Sequence, residues 1–137
     1  MLYVYKVNSD EYDEIVVMCY KGYVTQQLYN RNGKTVKKGV ISWRYDNHRI
    51  EGLKTTVKDI IIVPEKFEEG CEIKCIKENA FVDIHPKEVI FLSQDRVTFE
   101  PNALKCVDKA KVFCWIKSSQ ITDNMVCLGR ILNDIKS

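Results

Sequence analysis

The chain has no apolar run approaching the roughly 18 residues that a membrane-crossing helix needs, so no transmembrane segment and no membrane partner are expected. Its start, Met1-Leu2-Tyr3-Val4-Tyr5-Lys6, has neither a basic leader nor an apolar leader core. This predicts no signal peptide and a cytoplasmic protein. The six glycines are scattered, which excludes a glycine-rich phosphate loop. There are only two histidines, His48 and His85, and nothing like a nucleophile elbow surrounds any cysteine. No catalytic residue and no cofactor are therefore assigned, and an enzyme is not expected.

Six cysteines are present: Cys19, Cys71, Cys75, Cys106, Cys114 and Cys127. A disulfide framework would need a secretory context, so these read as mostly buried free thiols. Cys71-x-x-x-Cys75 with His85 is the best candidate for zinc, and it defines a minor reading of zinc- or thiol-dependent activity. Zinc knuckles commonly space their cysteines by two residues rather than three, so no metal ligand is assigned. Glu65, Glu68, Glu69 and Glu72 form an acidic loop that reads as a solvated face.

What is present suits a folded domain. Hydrophobic residues make up 45% of the 137, enough for a core, and the length fits one domain. Leu2–Val7 reads as a strand. Glu14–Tyr20 is a β-branched run that Lys21-Gly22 turns back into Tyr23–Tyr29, whose weaker alternation suits an edge with one wet face. Asn32-Gly33 predicts a type I′ hairpin turn. Strand character resumes from Val36 to Tyr45, with Val40, Ile41, Trp43 and Tyr45 as packed positions, and Asp46-Asn47-His48 breaks it. An antiparallel meander over residues 1–56 follows.

From Val57 the pattern changes to a repeat. Ile76-Lys77-Glu78-Asn79-Ala80-Phe81 matches Phe99-Glu100-Pro101-Asn102-Ala103-Leu104 at an offset of 23 residues. The same offset relates Glu88-Val89-Ile90-Phe91 to Lys111-Val112-Phe113-Cys114. A period in the twenties is that of leucine-rich-type solenoids. Val57–Pro64 adds an apolar run stopped by proline. After Ser119, Ile121, Met125, Val126, Leu128, Leu132 and Ile135 follow helical spacing, with Thr122 as N-cap. The expected fold is mainly β: an N-terminal antiparallel β-meander (1–56), a short leucine-rich-type β-solenoid (57–117) and a C-terminal capping helix (118–137).

Residues 57–117 resemble BspA-like leucine-rich repeats. The resemblance rests on Ile60-Ile61-Ile62-Val63-Pro64, read as strand and proline, and on Ile73-x-x-Ile76-Lys77-Glu78-Asn79-Ala80-Phe81, read as the signature body. Ser93 and Leu104 depart from the pattern in the second copy. The resemblance implies protein or ligand binding on exposed strand faces, with the signature residues serving as scaffold.

The charge is unevenly placed. Residues 31–58 hold Arg31, Lys34, Lys37, Lys38, Arg44, Arg49, Lys54 and Lys58 against Asp46 and Glu51, a local +6 in a chain of net +2. Trp43 and Tyr45 lie among them. The candidate binding surface is therefore Arg31, Lys34, Lys37, Lys38, Trp43, Arg44, Tyr45 and Arg49. Two readings follow. One is a non-enzymatic protein-binding module, a small inhibitor or adaptor that masks a site on a protein partner. The other is a nucleic-acid-contacting hairpin, with cations on phosphates and aromatics stacked on bases. The open strand edges of a short solenoid also allow a homo-oligomer.

Overall fold

The computed structural model describes residues 1–7, 11–93, 97–114, 125–127 and 132–134. Its first half is an antiparallel ladder of five strands: β1 (Leu2–Val7), β2 (Glu14–Tyr20), β3 (Tyr23–Tyr29), β4 (Thr35–Asp46) and β5 (Arg49–Thr55). Lys21 (φ 47°) and Gly22 (φ 82°) supply the two left-handed positions of a type I′ turn between β2 and β3. The Asn32-Gly33 turn is not the expected type I′, because of this pair only Gly33 is left-handed (φ 76°). The Asn30 carbonyl accepts from Gly33 N at 2.9 Å, and Asn30 N donates to Lys34 O at 2.9 Å. Asn30 Oδ1 also accepts from the Asn32 and Lys34 amides, each at 3.0 Å. The result is a longer loop ending in a glycine bulge and pinned by one asparagine.

The second half supplies β6 (Ile60–Val63), β7 (Cys75–Ile76), β8 (Glu88–Phe91), β9 (Thr98–Phe99), β10 (Lys111–Cys114), β11 (Met125–Cys127) and β12 (Leu132–Asp134). The repeat offset is a pairing register: Cys75 lies opposite Thr98, and Val89 opposite Val112, in parallel pairs 23 residues apart. The strands divide between two sheets. The larger runs β12-β1-β2-β3-β4-β5-β7-β9 and the smaller β11-β10-β8-β6.

This arrangement corrects the expected fold in two places. No solenoid follows the meander. The 23-residue interval occurs once in each sheet, whereas Ile50 pairs with Ile76 and Ile60 with Glu88 at longer offsets, and β7 and β9 extend the meander's own sheet. The capping helix is also absent where the chain is described. Met125–Cys127 pairs in parallel with β10, and Leu132–Asp134 pairs antiparallel with β1. The rest of the expected helix, including Thr122 and Ile121, lies outside the described residues. Among those residues the helical content is a single 3₁₀ turn, Lys105–Val107. Spacing of a few apolar residues fits helix or strand alike, and here pairing partners decide.

One continuous core links the two sheets. Strand parity sends Tyr3, Tyr5, Ile15, Val17, Val24, Leu28, Ile41, Trp43 and Ile50 inward from the ladder. All four residues of β6 are buried, as are Val89, Ile90 and Phe91 of β8. The repeat residues Ile76, Ala80, Phe81, Phe99, Ala103 and Leu104 are buried as well, so they are scaffold. The outer edge of β6 is closed by a side chain. Gln26 of β3, fully buried, donates from Nε2 to Ile60 O at 2.8 Å and accepts at Oε1 from Ile62 N at 3.2 Å. Its amide thus takes the place of a neighbouring strand's peptide group.

Lys37 on β4 reaches the connector before β6 and donates to Asp59 Oδ2. The hydrogen bond and the ammonium charge hold the Asp59 carboxyl below the usual carboxylate range. A carboxyl whose folded-state pKa lies below its unfolded value adds stability above the unfolded value. That stability is lost as pH falls through the folded one. In Lys37→Met, Asp59 is expected to titrate upward, toward an ordinary carboxyl, and the acid limb of stability should flatten. Carbon-13 NMR titration of Asp59 in both proteins checks this; an unmoved midpoint refutes the pairing.

Candidate interaction surface on the open sheet face

The ladder has a second face, which no element covers among the described residues. Parity alternates along each strand, so every residue between two inward ones points out. On β1 these are Leu2, Val4 and Lys6; on β2, Glu14, Val16, Met18 and Tyr20; on β3, Tyr23, Thr25, Gln27 and Tyr29. The register lines them into rows. Tyr20 sits opposite Tyr23, and Tyr23 opposite Ser42, beside Lys54. Leu2 lies opposite Met18, followed by Thr25 and Val40. Val4 lies opposite Val16, followed by Gln27 and Lys38.

Two rows start apolar at β1 or β2 and end cationic, at Lys38 and at Lys54, while the row between them ends on Val40 at β4. Tyr20 is 71% exposed, Tyr23 55%, Met18 52% and Leu2 45%. Adjacent large apolar side chains held at such exposure are what interaction sites present. Lys38, Arg44 and Lys54 are exposed and have no carboxylate partner among the described residues. Arg44 is steadied by its own chain, donating from Nη2 to Glu51 O at 3.2 Å. Lys21 Nζ lies 5.6 Å from the Tyr20 ring centroid, a cation over an exposed aromatic face.

The candidate residues read from the sequence are dispersed by this geometry. Lys38 and Arg44 stand on the open face. Arg31 and Lys34 stand at the exposed β3–β4 loop, with Arg31 Nε 4.0 Å from Asp13. Lys37 is held by Asp59, and Arg49 pairs with Asp46 at 3.1 Å. Trp43 and Tyr45 turn inward, the first buried and the second half-buried. Both pack on Phe67, with ring centroids 5.7 and 4.5 Å away. Trp43 is thus a core residue, and its indole nitrogen has no hydrogen-bond partner among the described residues. A hairpin that stacks bases on Trp43 and Tyr45 is not what forms.

The apolar side chains of the open face escaped the sequence reading. Their signal was there: Ile15-Val16-Val17-Met18-Cys19-Tyr20 is apolar at both parities. The strand lies between β1 and β3, inside the sheet rather than at an edge. A strand apolar at both parities has two apolar faces, and only one is needed for this core.

The cysteines offer no reactive centre on this face. Burial pushes the Cys19 thiol up to about 12, leaving it protonated. Cys71 is also raised, by burial and by Glu68, whose Oε1 lies 3.6 Å from its sulfur. Cys75 and His48 line one concavity of about 980 Å³, while His85 and Cys106 line another of about 880 Å³. The proposed zinc partners Cys75 and His85 are therefore in different places. No group of three or more His, Cys, Asp or Glu side chains is gathered for a metal among the described residues.

Comparison with family models, curated proteins and solved structures yields no match. No helix among the described residues is long and apolar enough to cross a membrane.

Proposed function

We propose that this chain is a non-enzymatic protein-binding module that works through the open face of its larger sheet. The observation that carries the reading is the contiguous cluster of Leu2, Met18, Tyr20 and Tyr23, displayed on a rigid ladder rather than buried. Exposing such side chains costs solvation free energy on every molecule, which a bound partner recovers. The ladder holds them in place, so little side-chain or backbone ordering is left for the binding step. An inhibitor or adaptor that masks a site on its partner needs such a flat, preformed surface. The reading includes a cytoplasmic setting, in which Cys19, Cys71, Cys75 and Cys106 remain the free thiols they are in this structure.

A photo-cross-linking residue placed at Thr25, in the middle of the face, tests the reading. A second protein carries it at Asp108, an exposed position far along the chain. In native extract the Thr25 probe is expected to label one protein that the Asp108 probe does not. Tyr20→Ser with Tyr23→Ser should reduce that labelling at least about tenfold, as loss of central aromatic anchors does. Both substitutions are at exposed positions, so the melting temperature should hold. Equal labelling from both probes, or labelling indifferent to the tyrosines, refutes the reading.

A further inference from the structure

Two rows of the open face run from apolar to cationic, Val4–Val16–Gln27–Lys38 and Tyr20–Tyr23–Ser42–Lys54, and this limits what can bind. A partner that covers Leu2, Met18, Tyr20 and Tyr23 also covers or borders Lys38, Arg44 and Lys54. The acidic side chain that points out of this face on β2, Glu14, is already taken by Lys6. The uncommitted charge on the face is therefore of one sign. Burying uncompensated cations is expensive, so the covering surface must bring carboxylates to the β4–β5 side and apolar groups to the β1–β2 side.

We infer that the partner is an acidic protein surface, aliphatic or aromatic along one flank and lined with carboxylates along the other. This deepens the protein-binding reading and rests on it. A second copy of the chain does not fit. Two such faces brought together would bury three unneutralised cations from each side with no free carboxylate to meet them. A nucleic acid fits less well. The cations would suit phosphates, but Leu2, Val4, Val16 and Met18 give it nothing to bond with and would be buried against a polar backbone.

The test uses three probes against the full chain, followed by backbone amide NMR. The first is a synthetic peptide of alternating leucine and glutamate. The second is its leucine and lysine counterpart, and the third a short oligothymidylate. The leucine–glutamate peptide is expected to shift amides of β1 to β5 and to weaken at least about tenfold from low to high salt, as screening of the charge pairs requires. Lys38→Glu with Arg44→Glu and Lys54→Glu should lower its affinity by a similar factor, while an unchanged melting temperature shows the fold intact.

Several outcomes overturn the inference. These are equal binding of the leucine–lysine peptide, tighter binding of the oligothymidylate, an affinity indifferent to the charge reversal, or no shift on the sheet face. A dimer in sedimentation velocity that dissociates on Tyr20→Ser overturns it too. The cross-linking experiment at Thr25 is separate. A labelled partner there, together with failure here, would keep the binding module and remove only its acidic partner.

Discussion

Gln26→Leu is expected to lower the unfolding free energy by about 2–5 kcal/mol, the cost of leaving one buried acceptor and one buried donor unmade. The acceptor is Ile60 O and the donor Ile62 N, both on the outer edge of β6. Leucine fills nearly the same space, so the loss reads the hydrogen bonds rather than a cavity. A fall in the urea midpoint with an unchanged slope is the expected signature. Gln26→Glu sharpens the test. An ionised carboxylate has no hydrogen for Ile60 O and carries a charge into the core, so the loss at neutral pH should exceed that of leucine. A protonated carboxyl has both a donor and an acceptor. The folded state therefore favours the protonated form, the pKa of the introduced carboxyl rises on folding, and part of the stability should return as pH falls. A Gln26→Leu protein within about 0.5 kcal/mol of the parent, the range of neutral surface changes, would show that β6 does not depend on this amide.

Phe67→Ala is the second large effect, expected at about 3–5 kcal/mol for removal of a buried ring. Phe67 belongs to the Glu65–Gly70 loop, which reads as acidic and solvated, yet its ring is buried between Trp43 and Tyr45. The loop is closed on itself by Phe67 N bonded to Cys71 O at 3.3 Å and Ile73 N bonded to Glu65 O at 2.9 Å. Removing the ring lets water reach Trp43. The fluorescence of the variant should move to the red while the chain is still folded. Phe67→Leu should keep most of the stability, because it retains much of the apolar volume. A stable, unshifted Phe67→Ala protein would mean that the loop does not seal this part of the core.

These two sites mark what could and could not be read from the chain. The strands Leu2–Val7, Glu14–Tyr20 and Tyr23–Tyr29 are legible because each is a short β-branched or aromatic run ended by a turn residue. The 23-residue offset is legible for the same reason, since parallel neighbours meet at one register. Arg49–Thr55 is harder to see, because a register shift opposite Arg44 and Tyr45 sets its inward residues Ile50 and Leu53 three apart; Gly52 lies opposite Arg44, and a Cβ there would come within 2.7 Å of Arg44 Nη2. The tail misleads because three-residue strands carry too little pattern to oppose helical spacing. The role of Gln26 has no local signature at all: its partners are 34 and 36 residues away. The candidate surface was half visible. The cations could be counted, but which of them are committed, Lys37 to Asp59 and Arg49 to Asp46, depends on side-chain pairing that composition does not encode.

The pairing registers also set an order in time. The ladder strands β2 to β5 are joined by connections of a few residues, whereas β7 and β8 meet β9 and β10 at a register of 23 residues along the chain. Each doubling of loop length adds about 0.6 kcal/mol to closure, so the hairpins should form first and the parallel strands dock later. Pulse-labelled hydrogen exchange should find amides of β3 and β4 protected before those of β6 and β8. Simultaneous protection would argue against sequential assembly. If the order holds, the open face of the ladder is assembled before the core beneath it is sealed. An emerging chain would then carry both sides of an apolar ladder open to water at once, and that interval is when self-association is most dangerous for this protein.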